Sequence, residues 1–377
     1  MRVVRIEAMK VRLHLRKPFR HALCSRTETE NVIVRVELAE GTVGWGEGVP
    51  RDYVTGETPD ATYDAVRVGL APALLGARWG SWESLREFLL GETLARWDSG
   101  AAAARCAMEL ALLDAGGKHF RRSAVDLLGG RRGRWIRYSI GVSADSLEEL
   151  RRRLRRYRLL GVRRVKLKLG ADDADLARVA LARAVLGRDA AIGVDVNGAW
   201  TPDEAVRKLR ALAVYRVEFV EEPTPPGDLE ALAAVAAESP IPITADESLR
   251  TEEEARQLIA RRACHIFNLR LSKCGGITRC LRLAELARRH CLRVAVGCHV
   301  GESGILSAAG RHLLLGLGET SWAEGSYGTF LLTDDLTRPS VRFSWGGIAG
   351  ALRGPGLGVH VDSERIDRHL LAAECTA

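Results

Sequence analysis

From about residue 135 onward, short apolar stretches alternate with amphipathic ones, a rhythm that predicts strands separated by helices and so a parallel α/β fold. Eight strands are expected: Ile136–Ile140, Arg164–Leu169, Ala191–Asp195, Val217–Glu221, Ile241–Asp246, His265–Arg270, Leu292–Gly297 and Thr320–Glu324. Eight β/α units are the number that closes a barrel. Three of the intervening helices open on a hydroxyl followed three residues later by Glu, a pairing that satisfies free backbone donors from both sides. These are Ser146 with Glu149, Thr201 with Glu204 and Thr251 with Glu254. Pro202 falls at a first helical position, where its missing N–H costs nothing.

Ahead of the barrel the pattern changes. Val32-Ile33-Val34-Arg35-Val36-Glu37-Leu38 alternates apolar and polar positions with Gly41 following, as in an antiparallel meander, and Gly44-Trp45-Gly46-Glu47 reads as a turn. Alanine-rich Ala101 to Gly117 predicts a helix ending on its glycines, and Leu127-Leu128-Gly129-Gly130 closes a further one. The expected organisation is an α+β domain over residues 1–130, a barrel over 131–345, and a glycine-rich tail, 346–377, packing back on the first domain.

At 377 residues the chain has room for a barrel and a smaller partner. Its opening residues lack the pattern of a secretory leader, and no stretch approaches the roughly 20 apolar residues of a membrane span, so a cytoplasmic protein with no membrane partner is expected. The net charge of +8 raises the question of nucleic acid. The strongest basic run, Leu150 to Arg164, answers it: leucines near helical spacing with arginines between them describe an outer helix with one solvated face, and no nucleic-acid partner is expected. The eight cysteines include no CxxC pair and read as buried free thiols.

The chemistry lies at the strand ends. Asp195, Glu221 and Asp246 recur about 25 residues apart, the length of one β/α unit, so each carboxylate closes a separate unit and all three converge on one rim. Three hard oxygen donors suit Mg²⁺ better than Zn²⁺, with Mn²⁺ also possible. One unit earlier, Lys166 and Lys168 share a strand face. Two ammonium groups about 6 to 7 Å apart repel by about 2.5 kcal/mol at an effective dielectric of about 20, which favours a neutral amine able to act as a base.

KLK, DVN, EEP and ADES in this order and spacing resemble the enolase superfamily, in the mandelate racemase and muconate lactonizing enzyme group. The likeness extends over nearly the whole chain, through Gly44-Trp45-Gly46-Glu47, Ala111-Leu112-Leu113-Asp114 and Leu127-Leu128-Gly129-Gly130. It implies a modified TIM barrel with an α+β capping domain, Asp195, Glu221 and Asp246 as Mg²⁺ ligands, Lys168 as the base removing a proton α to a carboxylate, and Lys166 stabilising the enediolate that forms. Asn197, Glu247 and Lys273 take supporting places, and Glu222 and Glu247 point away from the ligands if the backbone there stays extended. A small-molecule carboxylate substrate and a homo-oligomer are family expectations.

The sequence departs from the family at the sixth strand, where Arg270 replaces a lysine. Arginine does not give up its proton and is a poor second base, but it holds carboxylates well. His299, after the seventh strand, resembles a second base whose partnering aspartate position is Arg270 here, and the guanidinium should keep it neutral. Glu302 and Glu324 at the last strand ends, with Arg20 and Tyr53 in two cap loops, are candidate substrate contacts. The leading expectation is therefore Mg²⁺-dependent enediolate formation by Lys168 alone, resolved by cycloisomerisation or β-elimination. The alternatives are a racemase or epimerase using Lys168 and His299 on opposite faces, and a barrel that binds a carboxylate without turning it over.

Overall fold

A computed structural model of the chain describes residues 1–21, 24–91 and 100–377, with the side chains of all of these except 19–21 and 24–25. Strands β1 (Val3–His21), β2 (Cys24–Leu38) and β3 (Val43–Gly48) form an antiparallel sheet. Its fourth member is the C-terminal strand Leu370–Thr376, which pairs with β1 from Ile6↔Thr376 to Val11↔Leu370.

The segment read as a turn, Gly44 to Glu47, lies inside β3, and its glycines explain how the sheet meets the long helix Ala102–Phe120. Gly44, Gly46 and Gly48 alternate, so they share one face of the strand. Ala103, Ala107, Ala111 and Ala115 recur every four residues, so they share one stripe of the helix. Two residues of strand and four of helix advance by nearly the same length, roughly 6 to 6.6 Å, which keeps the two rows in step. The contact is backbone on backbone: a Cβ at Gly46 would stand 1.9 Å from Ala107 O, and one at Gly48 2.2 Å from Ala103 O. Gly46→Ala is therefore expected to cost about 3 kcal/mol or more by overpacking and to lower Tm by several degrees in a thermal melt. Gly69→Ala, whose methyl would meet nothing within 4 Å, should hold or raise Tm.

The helix does not stop at Gly116 and Gly117. It runs to Phe120 and ends at Arg121 in the left-handed region, φ 56°. Those two glycines serve close approach: a Cβ would stand 2.1 Å from Leu85 Cδ2 at the first and 2.7 Å from Gly356 Cα at the second.

Eight parallel strands follow in one curled sheet, in sequence order. The first departs from expectation. Strand β4 (Trp135–Arg137) leaves the barrel and pairs antiparallel with Ile348–Gly350. The barrel's first strand is β5 (Ile140–Val142). Gly347, at φ 79°, brings its carbonyl to accept from Tyr138 N–H at 2.8 Å, a conformation and closeness that a side chain would forbid. Then come β6 (Arg164–Lys168), β7 (Ala191–Asp195), β8 (Phe219–Glu221), β9 (Ile243–Ala245), β10 (Ile266–Leu269), β11 (Arg293–Val296) and β12 (Trp322–Ala323). Ser139 N–H donates to Ala323 O at 2.9 Å, tying the segment before β5 to β12.

Thr201 with Glu204 and Thr251 with Glu254 form reciprocal caps. Ser146 caps in one direction only, because Glu149 accepts instead from Asp145 N–H at 3.3 Å and from Arg153. Among the described cysteines, Cys106, Cys264, Cys274 and Cys280 are buried free thiols, whereas Cys291 and Cys375 are exposed and Cys298 is partly so. No helix among the described residues is long and apolar enough to cross a membrane.

Buried polar links hold the cap to the barrel. Glu47 accepts from Ser303 N–H, Ser303 Oγ, Leu306 N–H and Asn31, at 2.7 to 3.0 Å, at the N-terminus of helix Gly304–Leu317. A carboxylate suits that end of a helix. Arg51 donates to Val300 O at 2.8 Å, so this cap-loop arginine ties the cap to the loop after β11.

Candidate active site

The barrel strands bring the acids and lysines to one rim. Asp195 and Glu221 are the last residues of β7 and β8, Asp246 and Arg270 directly follow β9 and β10, and Glu324 directly follows β12. Lys166 is buried and donates to both Glu221 oxygens at 3.0 Å and to Glu324 Oε2 at 2.8 Å, with Asp195 Oδ2 at 3.4 Å. Lys168, at the strand end, keeps 18% of its side chain exposed and donates to Asp195 Oδ2 at 2.5 Å and Asn197 Oδ1 at 2.9 Å. Asn197 turns the chain at φ 49°, a conformation Asn tolerates, and its Nδ2 donates to Glu247 Oε1 at 3.1 Å.

Burial pulls Lys166 down, but Glu221, Glu324 and Asp195 outweigh it and hold its pKa well above the ordinary value. Repulsion between the lysines therefore does not make Lys166 the neutral one, because three carboxylates at 2.8 to 3.4 Å outweigh it. Lys168 is the more accessible of the two.

Glu247 belongs to the cluster rather than to the opposite face. The strand ends at Ala245, so alternation no longer governs Asp246 and Glu247. Glu247 is buried, and burial with Asp195, Glu222 and Glu221 nearby pushes its pKa up to about 8. Glu222 sits at φ 41°, out of extended geometry, and accepts from Asp246 N–H at 2.7 Å and from Ser248, which fixes the turn that presents Asp246. Lys273 donates to Asp246 Oδ1 at 2.8 Å and to the carbonyls of Asp246 and Asn268.

Arg270 reaches across the carboxylates. Its Nη2 lies against Asp246 Oδ2, 3.5 Å from Glu221 Oε1 and 3.8 Å from Glu247 Oε1. Among the described residues no three acidic, imidazole or thiol groups are gathered to hold one ion in this arrangement, since the carboxylates are drawn onto buried cations. The donor set still fits a divalent metal. Among the described residues, the five acids Asp195, Glu221, Asp246, Glu247 and Glu324 share the four cations Lys166, Lys168, Arg270 and Lys273, and buried Glu222 forms no ion pair. Buried Glu247 Oε2 and Glu324 Oε1 lack hydrogen-bond donors. Burial, with Asp195 and Glu324 close by, pushes Glu221 up to about 7 although Lys166 opposes it. A divalent cation is the charge that such a cluster lacks.

His299 is buried, and its Nε2 has no hydrogen-bond partner. Burial, with Arg270, Arg51, Lys273 and Arg26 around it, holds its pKa well below the usual value, so the ring is neutral at pH 7. Glu302 accepts from Ser307 Oγ at 3.0 Å and from His299 N–H at 3.3 Å, and burial with Glu47 pushes it up to about 8. Glu302 and Glu324 share the lining of a small cavity of about 10 Å³ with Tyr138 and Ser307. Glu324 is thus paired with Lys166 inside the barrel rather than set on an open rim. Tyr53 is half-buried beneath the Arg26 guanidinium, 5.2 Å from its ring centre, and the side chain of Arg20 lies outside the described residues.

Sequence reasoning passed over Asn268, whose Nδ2 donates to Glu221 Oε1 at 3.2 Å. A lone amide in the apolar strand Ile266-Phe267-Asn268-Leu269, two residues before Arg270 and so on its face, was the available signal. Gly297 leaves room for it, since a Cβ there would stand 2.6 Å from Asn268 Oδ1.

Two family descriptions match the chain: mandelate racemase / muconate lactonizing enzyme, N-terminal domain, over residues 3–129, and enolase C-terminal domain-like over 149–366. Muconate cycloisomerase 1 of Pseudomonas putida is 31% identical over 382 residues, 97% of this chain and 98% of that protein. An N-succinyl-L-Arg/Lys racemase of Bacillus cereus is 31% identical over 315 residues, 83% of this chain and 84% of that protein. The crystal structure of the Bacillus cereus racemase matches with a TM-score of 0.90 over all of both chains at 26% identity. A dipeptide epimerase from Cytophaga hutchinsonii, complexed with Mg and the dipeptide D-Ala-L-Val, matches with a TM-score of 0.89 at 27% identity, again over all of both chains.

Proposed function

The chain belongs to the mandelate racemase and muconate lactonizing enzyme group of the enolase superfamily, and from that premise we propose that it removes the proton α to the carboxylate of a small-molecule substrate with Lys168 as its single base. In β-elimination the enediolate expels a β-leaving group with its electron pair; in cycloisomerisation ring closure forms the enediolate, and Lys168 delivers the α-proton that the ring-opening direction removes. Asp195, Glu221 and Asp246 would hold Mg²⁺, which supplies positive charge opposite the oxygens where negative charge develops. Lys166, kept charged by its carboxylates, adds a second positive charge at the same place.

The observation that carries the single-base reading is Arg270. It follows the sixth strand of eight and Lys168 ends the second, so the two stand on opposite sides of the barrel. A substrate between them meets an amine able to take a proton on one side and a permanent cation on the other. Arg270 binds a substrate carboxylate or oxyanion there.

Arg270→Lys tests this, because it sets a second titratable amine opposite the first. With enantiopure substrates followed by chiral chromatography, the variant should gain inversion at the α carbon at least about tenfold over the wild type, which should show little. Wild-type inversion equal to that of the variant counts against the reading.

One observation favours racemisation or epimerisation instead: His299 presents a buried, neutral, unpartnered Nε2, and several relatives are racemases or epimerases. In that case His299→Asn should abolish exchange of one enantiomer's α-proton and spare the other's.

A further inference from the structure

At the N-terminal end of the barrel strands, away from the carboxylates, lies a cavity of about 180 Å³ whose lining includes Trp135, Ile136, Arg137, Arg164, Leu315 and Glu319. Arg164 opens the strand that Lys168 closes, so the length of β6 separates this cavity from the rim. Among the described residues neither arginine forms an ion pair; Glu218 acts on Arg164 from beyond ion-pair distance, and both Glu218 and Glu319 are exposed. Arg137 lies over the Trp135 ring, 5.8 Å from its centre, and Arg164 over the buried Trp322, 5.6 Å from its centre. A guanidinium held by its face keeps its in-plane N–H groups free, and these match a carboxylate two at a time. Arg164 donates only a long contact, 3.5 Å, to Ser321 O, and the buried Nε1–H of Trp322 has no acceptor. Burial and the adjacent Arg137 pull Arg164 down, and Glu218 opposes them without reversing the shift.

We infer that this cavity is a second binding site, for a small carboxylate with an apolar body, its charge met by Arg137 and Arg164 and its body by Trp135, Ile136 and Leu315. A cavity of about 180 Å³ admits a molecule of few heavy atoms rather than a flat protein surface. The inference does not depend on the reaction proposed for the opposite rim.

Benzoate, benzamide and inorganic phosphate serve as probes against the full chain, by calorimetry and by quenching of tryptophan fluorescence. Benzoate should saturate at one site and quench Trp135. Benzamide, lacking the charge, and phosphate, lacking the body, should bind at least about tenfold more weakly. Arg137→Gln and Arg164→Gln should each weaken benzoate by a similar factor with Tm unchanged, and Trp135→Phe should remove most of the quench while keeping the heat. Absence of saturable benzoate binding, or binding that survives both arginine substitutions together, overturns the inference. So does a change of oligomeric state in light scattering on either substitution, which would assign the cavity to a second copy of the chain.

Discussion

Replacing Lys168 with alanine is expected to slow α-proton removal by about 10⁴-fold, the upper range for loss of a general base, while Mg²⁺ binding does not weaken. Both halves follow from the geometry. Lys168 is the lysine with an accessible ammonium, whereas Lys166 is enclosed by Glu221, Glu324 and Asp195 and holds its proton. Lys168 also donates to Asp195 Oδ2, so its removal frees a carboxylate oxygen for a metal rather than taking one away. Isotope exchange at the α carbon reads the first effect and calorimetric titration with Mg²⁺ the second. A variant that keeps full exchange would move the base elsewhere.

Glu221→Gln should act the other way round. Outer partners of metal ligands alone are worth about 10- to 100-fold in affinity, so loss of a ligand charge should weaken Mg²⁺ by more than about 100-fold. The metal-free variant should melt no lower than the wild type. Gln keeps the shape, removes one of the surplus carboxylates and leaves Lys166 with Glu324 at 2.8 Å and Asp195 at 3.4 Å. At one hundred times its Kd, a ligand adds about 2.7 kcal/mol of stability, so wild-type Tm should climb with Mg²⁺ while that of the variant stays flat. Equal shifts in the two proteins would remove Glu221 from the metal site.

What could be read in advance was what repeats. The period of about 25 residues placed Asp195, Glu221 and Asp246 at successive strand ends, and it holds because each β/α unit uses a similar length of chain. Partners far apart in sequence were not legible. Nothing near Trp135 announces that it pairs with Gly350, and the glycines that permit the exchange, Gly346 and Gly347, look from the sequence like the start of a tail returning to the first domain. The glycine row of β3 and the alanine row of the long helix are each visible alone, but only contact shows that one row is cut to fit the other. At the site, alternation placed Lys166 and Lys168 well, because they lie within a strand. It failed for Glu247, which lies beyond one. Arg270 was seen as the departure from its family, though not that its guanidinium would lie among the acids themselves.

A single base facing a permanent cation leaves its mark in where deuterium enters and in whether configuration survives. Enantiopure N-succinyl amino acids, dipeptides and muconolactone would be incubated with the wild type and Lys168→Ala, with Mg²⁺ in D₂O, and analysed by mass spectrometry and chiral chromatography. With Lys168 as the single base, at least one compound should gain α-deuterium with its configuration kept, or pass to a ring-opened or eliminated product, and Lys168→Ala should do neither. Deuterium arriving together with inversion, at a comparable rate from either enantiomer, would contradict it by requiring a second base.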